Sequence, residues 1–154
     1  MESAKYHILV ADDEELVRYL IVSYLSKLGH SCLTAVNGAD ALDKIKKNKI
    51  DAVITDVRLP NMDGITLTRK ISEEYPGLPI MVMTAFDEKY SEGTVISAGA
   101  REFLKKPFTL EEFAVRLNKM INEAEAIKRM EKEENGEEDL QDLKKKLEKI
   151  LRDS

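Results

Sequence analysis

Between residues 6 and 109 the chain alternates five short apolar runs with longer stretches whose apolar residues recur every three or four positions. The runs at 8–11, 52–55 and 80–83 are almost unbroken hydrophobics, the pattern of strands covered on both faces. A run at 32–36 fits a further strand, and one at 101–105 is weaker, with only Phe103 and Leu104 apolar. Leu16, Leu20, Ile21, Tyr24, Leu25 and Leu28 predict a first helix that Gly29 ends. Ala41, Leu42 and Ile45 mark a second, and Ile65, Leu67 and Ile71 a third that stops before Pro76 and Gly77. The fourth, at 93–97, consists of mediocre or poor helix formers, so its helicity must come from packing and it suits a movable element. The fifth has the clearest start. Thr109 and Glu112 have capping-box spacing, with Phe108 and Phe113 spaced as a hydrophobic staple around them. Its apolar positions continue through Leu117, Met120, Ile121, Ala124 and Ile127. This alternation predicts an α/β fold, a doubly wound five-stranded parallel sheet with right-handed crossovers. In such a sheet chemistry belongs at the carboxyl ends of the strands.

Asn135-Gly136 interrupts the fifth helical pattern, and an extra C-terminal helix follows. Leu140, Leu143, Leu147, Ile150 and Leu151 form one stripe, the first four at a and d positions of two heptads. So short a helix must bury its stripe to be stable, which predicts a homodimer or a helical partner. The Glu-rich stretch 131–139 reads as a hinge. The expected organisation is a domain over 1–121, a helical extension and hinge over 122–136, and a short amphipathic helix over 137–154.

Composition narrows the class. The 154 residues, 43% hydrophobic, suffice for one domain with its own core and an appendage, without disulfide or structural metal. The lone Cys32 has no internal partner, so it reads as a small core residue in a reducing compartment. No run reaches the roughly 18 apolar residues of a membrane span, and no signal-peptide pattern opens the chain. A cytoplasmic protein with no membrane contact is expected. The net charge is −5, and Lys and Arg form no face-sized cluster, which argues against direct nucleic-acid binding.

The polar residues at the strand ends carry the chemistry. Asp12 and Asp13 follow the first strand, Asp56 ends the third, Thr84 the fourth, and Lys106 the fifth, ahead of Pro107. Each alone has an ordinary explanation: Asp13 as a helix N-cap, Asp56 as the start of the turn in LPNMDG, Thr84 as a strand end, Lys106 as a surface lysine. Together they converge on one sheet edge. Three close carboxylates need a hard cation, and all-oxygen ligation favours Mg²⁺. A lysine supplies a point charge for a phosphoryl oxygen, and a threonine hydroxyl bonds another. The set suits phosphoryl transfer to an aspartate by positioning and electrostatics.

ILVADDEE, VITDVRLPNMDG, MVMTAF and GAREFLKKPF, in that order, resemble the signature blocks of response-regulator receiver domains of bacterial two-component systems, over about residues 5–121. The resemblance implies a flavodoxin-like sheet of strand order 2-1-3-4-5. It also implies that Asp56 is phosphorylated by a histidine kinase or phosphotransfer protein, with Thr84 as switch hydroxyl and Lys106 as the phosphate-binding lysine. Mg²⁺ ligands would be Asp13, Asp56 and the Arg58 carbonyl, with Asp12 acting through water. Phe103 matches the aromatic that turns inward on activation, and Arg58 and Phe86 the positions that tune dephosphorylation. Such a domain is a switch whose fourth helix, fifth strand and fifth helix signal to an output domain or partner. It is an enzyme only in assisting its own phosphorylation and dephosphorylation. Lys105 adjoins Lys106, but the Lys-Pro junction and strand alternation favour Lys106. His7 and His30 flank strands away from the acidic edge.

Two other classes fit less well. An aspartyl phosphohydrolase normally wants a carboxylate two residues after its nucleophile, where this chain has Arg58. A flavin or nucleotide module needs a Gly/Ser/Thr-rich loop after the first strand, where this chain reads ADDEEL.

Overall fold

The computed structural model describes residues 6–85, 90–135 and 140–153. In chain order the elements are β1 (His7–Ala11), α1 (Glu15–Lys27), β2 (Ser31–Ala35), α2 (Gly38–Lys47), β3 (Ala52–Asp56), α3 (Gly64–Glu74), β4 (Ile80–Thr84), α4 (Glu92–Ser97), β5 (Glu102–Lys105), α5 (Leu110–Asn135) and α6 (Leu140–Asp153). All strand pairs are parallel, in the order β2-β1-β3-β4-β5. This is the doubly wound, flavodoxin-like sheet expected from the alternation.

The strands divide their side chains between two cores, as the period of two requires. Leu9, Val53 and Val82 point to one face, under Ile45, Leu67, Ile71 and Val95 of α2, α3 and α4. Ile8, Val10, Ile54, Met81 and Met83 point to the other, under Ile21 and Leu25 of α1 and Phe113, Leu117 and Ile121 of α5. β3 and β4 are buried along their whole length, which explains their nearly continuous apolar sequence ahead of the polar ends Thr55, Asp56 and Thr84. Cys32, on the edge strand β2, is half-buried against the second core, and burial pushes its thiol pKa up.

Local signals account for most helix ends. Asn37, Asp63 and Ser91 accept the N–H of Asp40, Thr66 and Thr94 at the starts of α2, α3 and α4. Thr109 Oγ1 accepts the Glu112 N–H at 3.0 Å, and the rings of Phe108 and Phe113 stack with centroids 5.9 Å apart. The cap and staple of α5 are thus present as expected. Gly29 follows α1 with φ +97°, a left-handed conformation that suits glycine at this position.

Two expectations need correction. The expected stripe of α1 is too broad: Ile21 and Leu25 are buried, whereas Leu16, Leu20 and Leu28 are exposed. Tyr24 packs on the covered side as expected, and Val17 and Val22 complete that side in place of the exposed leucines, because the sheet covers only one arc of the helix. The expected hinge begins too early, since α5 remains helical through Asn135. Residues 136–139, where the rest of that hinge falls, lie outside the described residues.

The chain divides into two compact units, residues 1–121 and 122–154. The first holds the sheet and its flanking helices; the second holds the end of α5 and α6. In the second unit Lys146 Nζ lies 2.7 Å from Glu133 Oε2, and no described residue of α6 is buried. Among the described residues no helix is long and apolar enough to cross a membrane.

Candidate phosphoryl-acceptor site

The site is assembled where β1, β3, β4 and β5 end together. Asp12 leaves β1 still bonded to the sheet, its N–H reaching the Ala35 carbonyl at 3.2 Å. Its side chain is fully buried. Oδ1 accepts the Glu14 N–H at 2.8 Å, while Arg18 reaches back from α1 to donate to the Asp12 carbonyl at 2.7 Å. Oδ2 has no hydrogen-bond partner among the described residues. Asp13 is exposed. The alternative role of Asp13 as helix cap is not what the structure shows, because the N-cap position of α1 belongs to Glu14, without a side-chain cap bond.

Asp56 closes β3 with only 5% of its surface exposed. Oδ1 accepts the Arg58 N–H at 3.0 Å, and Oδ2 accepts from Lys106 Nζ at 2.7 Å. The loop after it folds back tightly, with the Gly64 N–H on the Val57 carbonyl at 2.7 Å. A Cβ on Gly64 would stand 2.2 Å from the Asp56 carbonyl oxygen, so this approach requires glycine. A cleft of about 430 Å³ opens beside the acceptor, lined by Asp13, Val57, Arg58, Pro60, Asp63 and Tyr90.

Thr84 closes β4, opposite Lys105 in the register of β5. Its hydroxyl is buried and lacks a hydrogen-bond partner among the described residues. The two lysines diverge as alternation requires: Lys105 is exposed, whereas Lys106 is half-buried over Asp56. The Lys106 N–H is held by the Thr84 carbonyl at 2.8 Å, and the Lys106–Pro107 peptide is cis. Phe103 is half-buried against the first core, and its carbonyl accepts from Arg116 at 2.9 Å. Phe86 lies outside the described residues. His7 and Ser31 line a pocket with Ile50 at the amino ends of β1 and β2, away from the acidic edge.

The electrostatics are those of a site short of positive charge. Burial, and then the neighbouring Asp56 carboxylate, raise the Asp12 pKa from 3.8 to about 6, against the opposing pull of the Glu14 N–H and Lys106. Burial draws the Lys106 ammonium down, but its bond to Asp56 and the charges of Asp56 and Asp12 outweigh this and raise it. Asp12, Asp13 and Glu14 bring carboxylate oxygens within 4.8 Å of one another. An orphaned, buried Oδ2 in an all-oxygen donor set fits a hard divalent cation.

Sequence reasoning missed two residues here. Glu14 joins the acidic cluster, and Arg18 fixes the loop that carries it. Their signal was weak: Glu14 extends the ADDEE run, and Arg18 lies one helical turn further on.

A doubly wound parallel sheet with buried carboxylates and one lysine at its carboxyl edge defines the class of α/β domains that carry an acidic site at the topological switch point. Residues 8–118 match the response regulator receiver domain, and the chain belongs to that family. A receiver is a signalling switch of two-component systems. The response regulator MprA of Mycobacterium sp. (strain KMS) is 40% identical over 114 residues, which cover 74% of this chain and 50% of that protein. The chain thus spans about half the length of that curated relative. A putative response regulator from Chloroflexus aurantiacus J-10-fl superposes with a TM-score of 0.73 at 31% identity, covering 77% of this chain and 99% of that one. NtrX from Brucella abortus gives 0.78 at 26% identity, covering 84% of this chain and 29% of that one.

Proposed function

We propose that this domain accepts a phosphoryl group on Asp56 from a histidine kinase or phosphotransfer protein, and passes the change to an output domain or partner. The observation that carries the reading is the Lys106–Asp56 contact at 2.7 Å, beside the orphaned Oδ2 of Asp12. A carboxylate oxygen of Asp56 forms the new P–O bond as the donor's P–N bond breaks, its electron pair staying on the imidazole nitrogen. Lys106 then faces a phosphoryl oxygen instead of the bare carboxylate, and the Arg58 N–H keeps the acceptor oriented. Asp12, Asp13, Asp56 and the Arg58 carbonyl would hold Mg²⁺, whose charge makes the acidic edge hospitable to an anion. Thr84 offers its unpartnered hydroxyl to the phosphoryl group, and Phe103 turns inward as it does so. The population shift spreads over α4, β5 and α5. The lone, half-buried Cys32 suits a reducing cytoplasm.

Intact-mass analysis after treatment with acetyl phosphate and Mg²⁺ tests the reading. One phosphate is expected on the wild-type chain and none on Asp56→Asn. Full labelling of that variant would overturn the assignment.

A further inference from the structure

Asp12, Asp13 and Glu14, the acidic run, form the loop between β1 and α1. The helix gives that loop little local support, since its N-cap, Glu14, makes no side-chain cap bond. From the sheet side the loop is held by the Asp12 N–H on the Ala35 carbonyl at 3.2 Å. From the helix side it is held by Arg18. The main-chain N–H of Arg18 donates to the Glu14 carbonyl at 3.1 Å, and its Nη1 donates to the Asp12 carbonyl at 2.7 Å. One residue thus ties both ends of the acidic run.

The second of these bonds sets a direction. A residue's φ and ψ turn between two rigid peptide planes. At Asp12 the plane before it is fixed at its N–H by β2, and the plane after it at its carbonyl by Arg18. With both planes held, the path to Asp13 is fixed, and with it the point from which the Asp13 carboxylate starts. The Asp12 side chain is held too, because Oδ1 accepts the Glu14 N–H at 2.8 Å. That leaves Oδ2 3.9 Å from Lys106 Nζ, inside the site. Arg18 is half-buried and lines a groove with Tyr19, Val22 and Thr34. It makes no ion pair with a described residue, so its guanidinium serves the main chain and not the neighbouring carboxylates.

We propose that Arg18 is a positioning residue of the metal site: through the Asp12 carbonyl it presents the carboxylates of Asp12 and Asp13 to Mg²⁺, and so sets the affinity for the ion. The inference rests on the Mg²⁺ site proposed above. Charge and bond act in opposite directions here. As a nearby cation the guanidinium repels Mg²⁺, so by charge alone its removal would tighten binding. As a positioning group its removal loosens the ligands and weakens binding by roughly tenfold, the lower end of what partners of metal ligands contribute. The sign of the change separates the two.

Calorimetric titration of the full chain with magnesium chloride, without a phosphodonor, reads that sign. It is independent of whether Asp56 accepts a phosphoryl group. Arg18→Met keeps an apolar stem in the groove and removes the guanidinium; weaker Mg²⁺ binding is expected, by the factor just given. Arg18→Lys keeps a cation and a donor and recovers most of the loss. In chelator, amide exchange at residues 13–15 is expected to be faster in Arg18→Met, with that of β3 and β4 unchanged. Equal or tighter Mg²⁺ binding by Arg18→Met overturns the proposal, as does Arg18→Lys binding no better than Arg18→Met. Exchange accelerated throughout the sheet also overturns it, since Arg18 would then serve the whole fold and not the loop. A wild-type chain that binds no Mg²⁺ overturns the metal site itself, and this proposal with it.

Discussion

Lys106 Nζ lies 2.7 Å from Asp56 Oδ2, while its neighbour Lys105 is turned to the surface of the same strand end. Only one of the two lysines is therefore within reach of the acceptor. Lys106→Ala is expected to reduce the rate of acetyl-phosphate labelling by at least tenfold, since a charge-assisted contact is worth about 1.5–3 kcal/mol. Lys105→Ala should leave that rate within about twofold. Time-resolved intact-mass measurements distinguish them, and reversed effects would move the phosphate-binding role to Lys105.

Asp12 keeps a buried carboxylate beside Asp56, with one oxygen lacking a hydrogen bond among the described residues and 3.9 Å from Lys106 Nζ. Such an arrangement serves ligand binding at the expense of stability. Asp12→Asn is expected to raise the stability of the protein in chelator at neutral pH by about 1–3 kcal/mol. It should also weaken Mg²⁺ binding. Urea unfolding with and without Mg²⁺ checks both; an unchanged or lower stability in chelator would refute the idea that burying this charge, and then its repulsion by Asp56, costs stability.

Gly64 carries the tightest backbone approach near the acceptor. Gly64→Ala forces a Cβ against the Asp56 carbonyl, where no flexible side chain can move aside. A loss of about 2–4 kcal/mol is expected, in the range of overpacked cores, together with slower labelling. Thermal unfolding of the variant measures the first effect directly.

His30 lies outside the acidic edge, with its Nδ1 buried and without a hydrogen-bond partner among the described residues, and its ring 5.7 Å from that of Tyr6. Burial holds its pKa below 6.5. The unfolded chain then takes up the proton first, so stability falls as pH drops through 6.5 and levels off below the folded pKa. His30→Gln should lack this step. Melting temperatures between pH 8 and pH 5 for both chains give the comparison, and parallel curves would show that His30 contributes nothing.

The sheet was readable from the sequence because its central strands are buried on both faces, so 52–54 and 80–83 carry no polar interruption. The convergence of Asp12, Asp56, Thr84 and Lys106 followed from topology alone, since each closes a strand of one parallel sheet. What escaped was set by tertiary context. Leu16 and Leu20 have the spacing of core residues, yet only the sheet's placement shows which arc of α1 is covered. Arg18 acts through a main-chain carbonyl, and such contacts leave no residue-type signature at the accepting position. Glu131–Asn135 has a linker's composition, but its backbone continues the helix that Leu117 and Ile121 anchor in the core.

The bond from Arg116 to the Phe103 carbonyl reaches the main chain and leaves the ring untouched. It works as a bearing for an axle: the backbone of β5 is held to α5 at the Phe103 carbonyl, with Glu102 meeting Arg116 at 3.6 Å and Lys119 at 3.8 Å beside it, and in the proposed switch the aromatic group would swing about χ1 without loosening that grip. Replacing Phe103 by another side chain would therefore change what swings while sparing the mounting. Removing Arg116 would loosen the mounting whichever side chain it carried. Position and orientation of the ring thus answer to different residues, and each can be altered without the other.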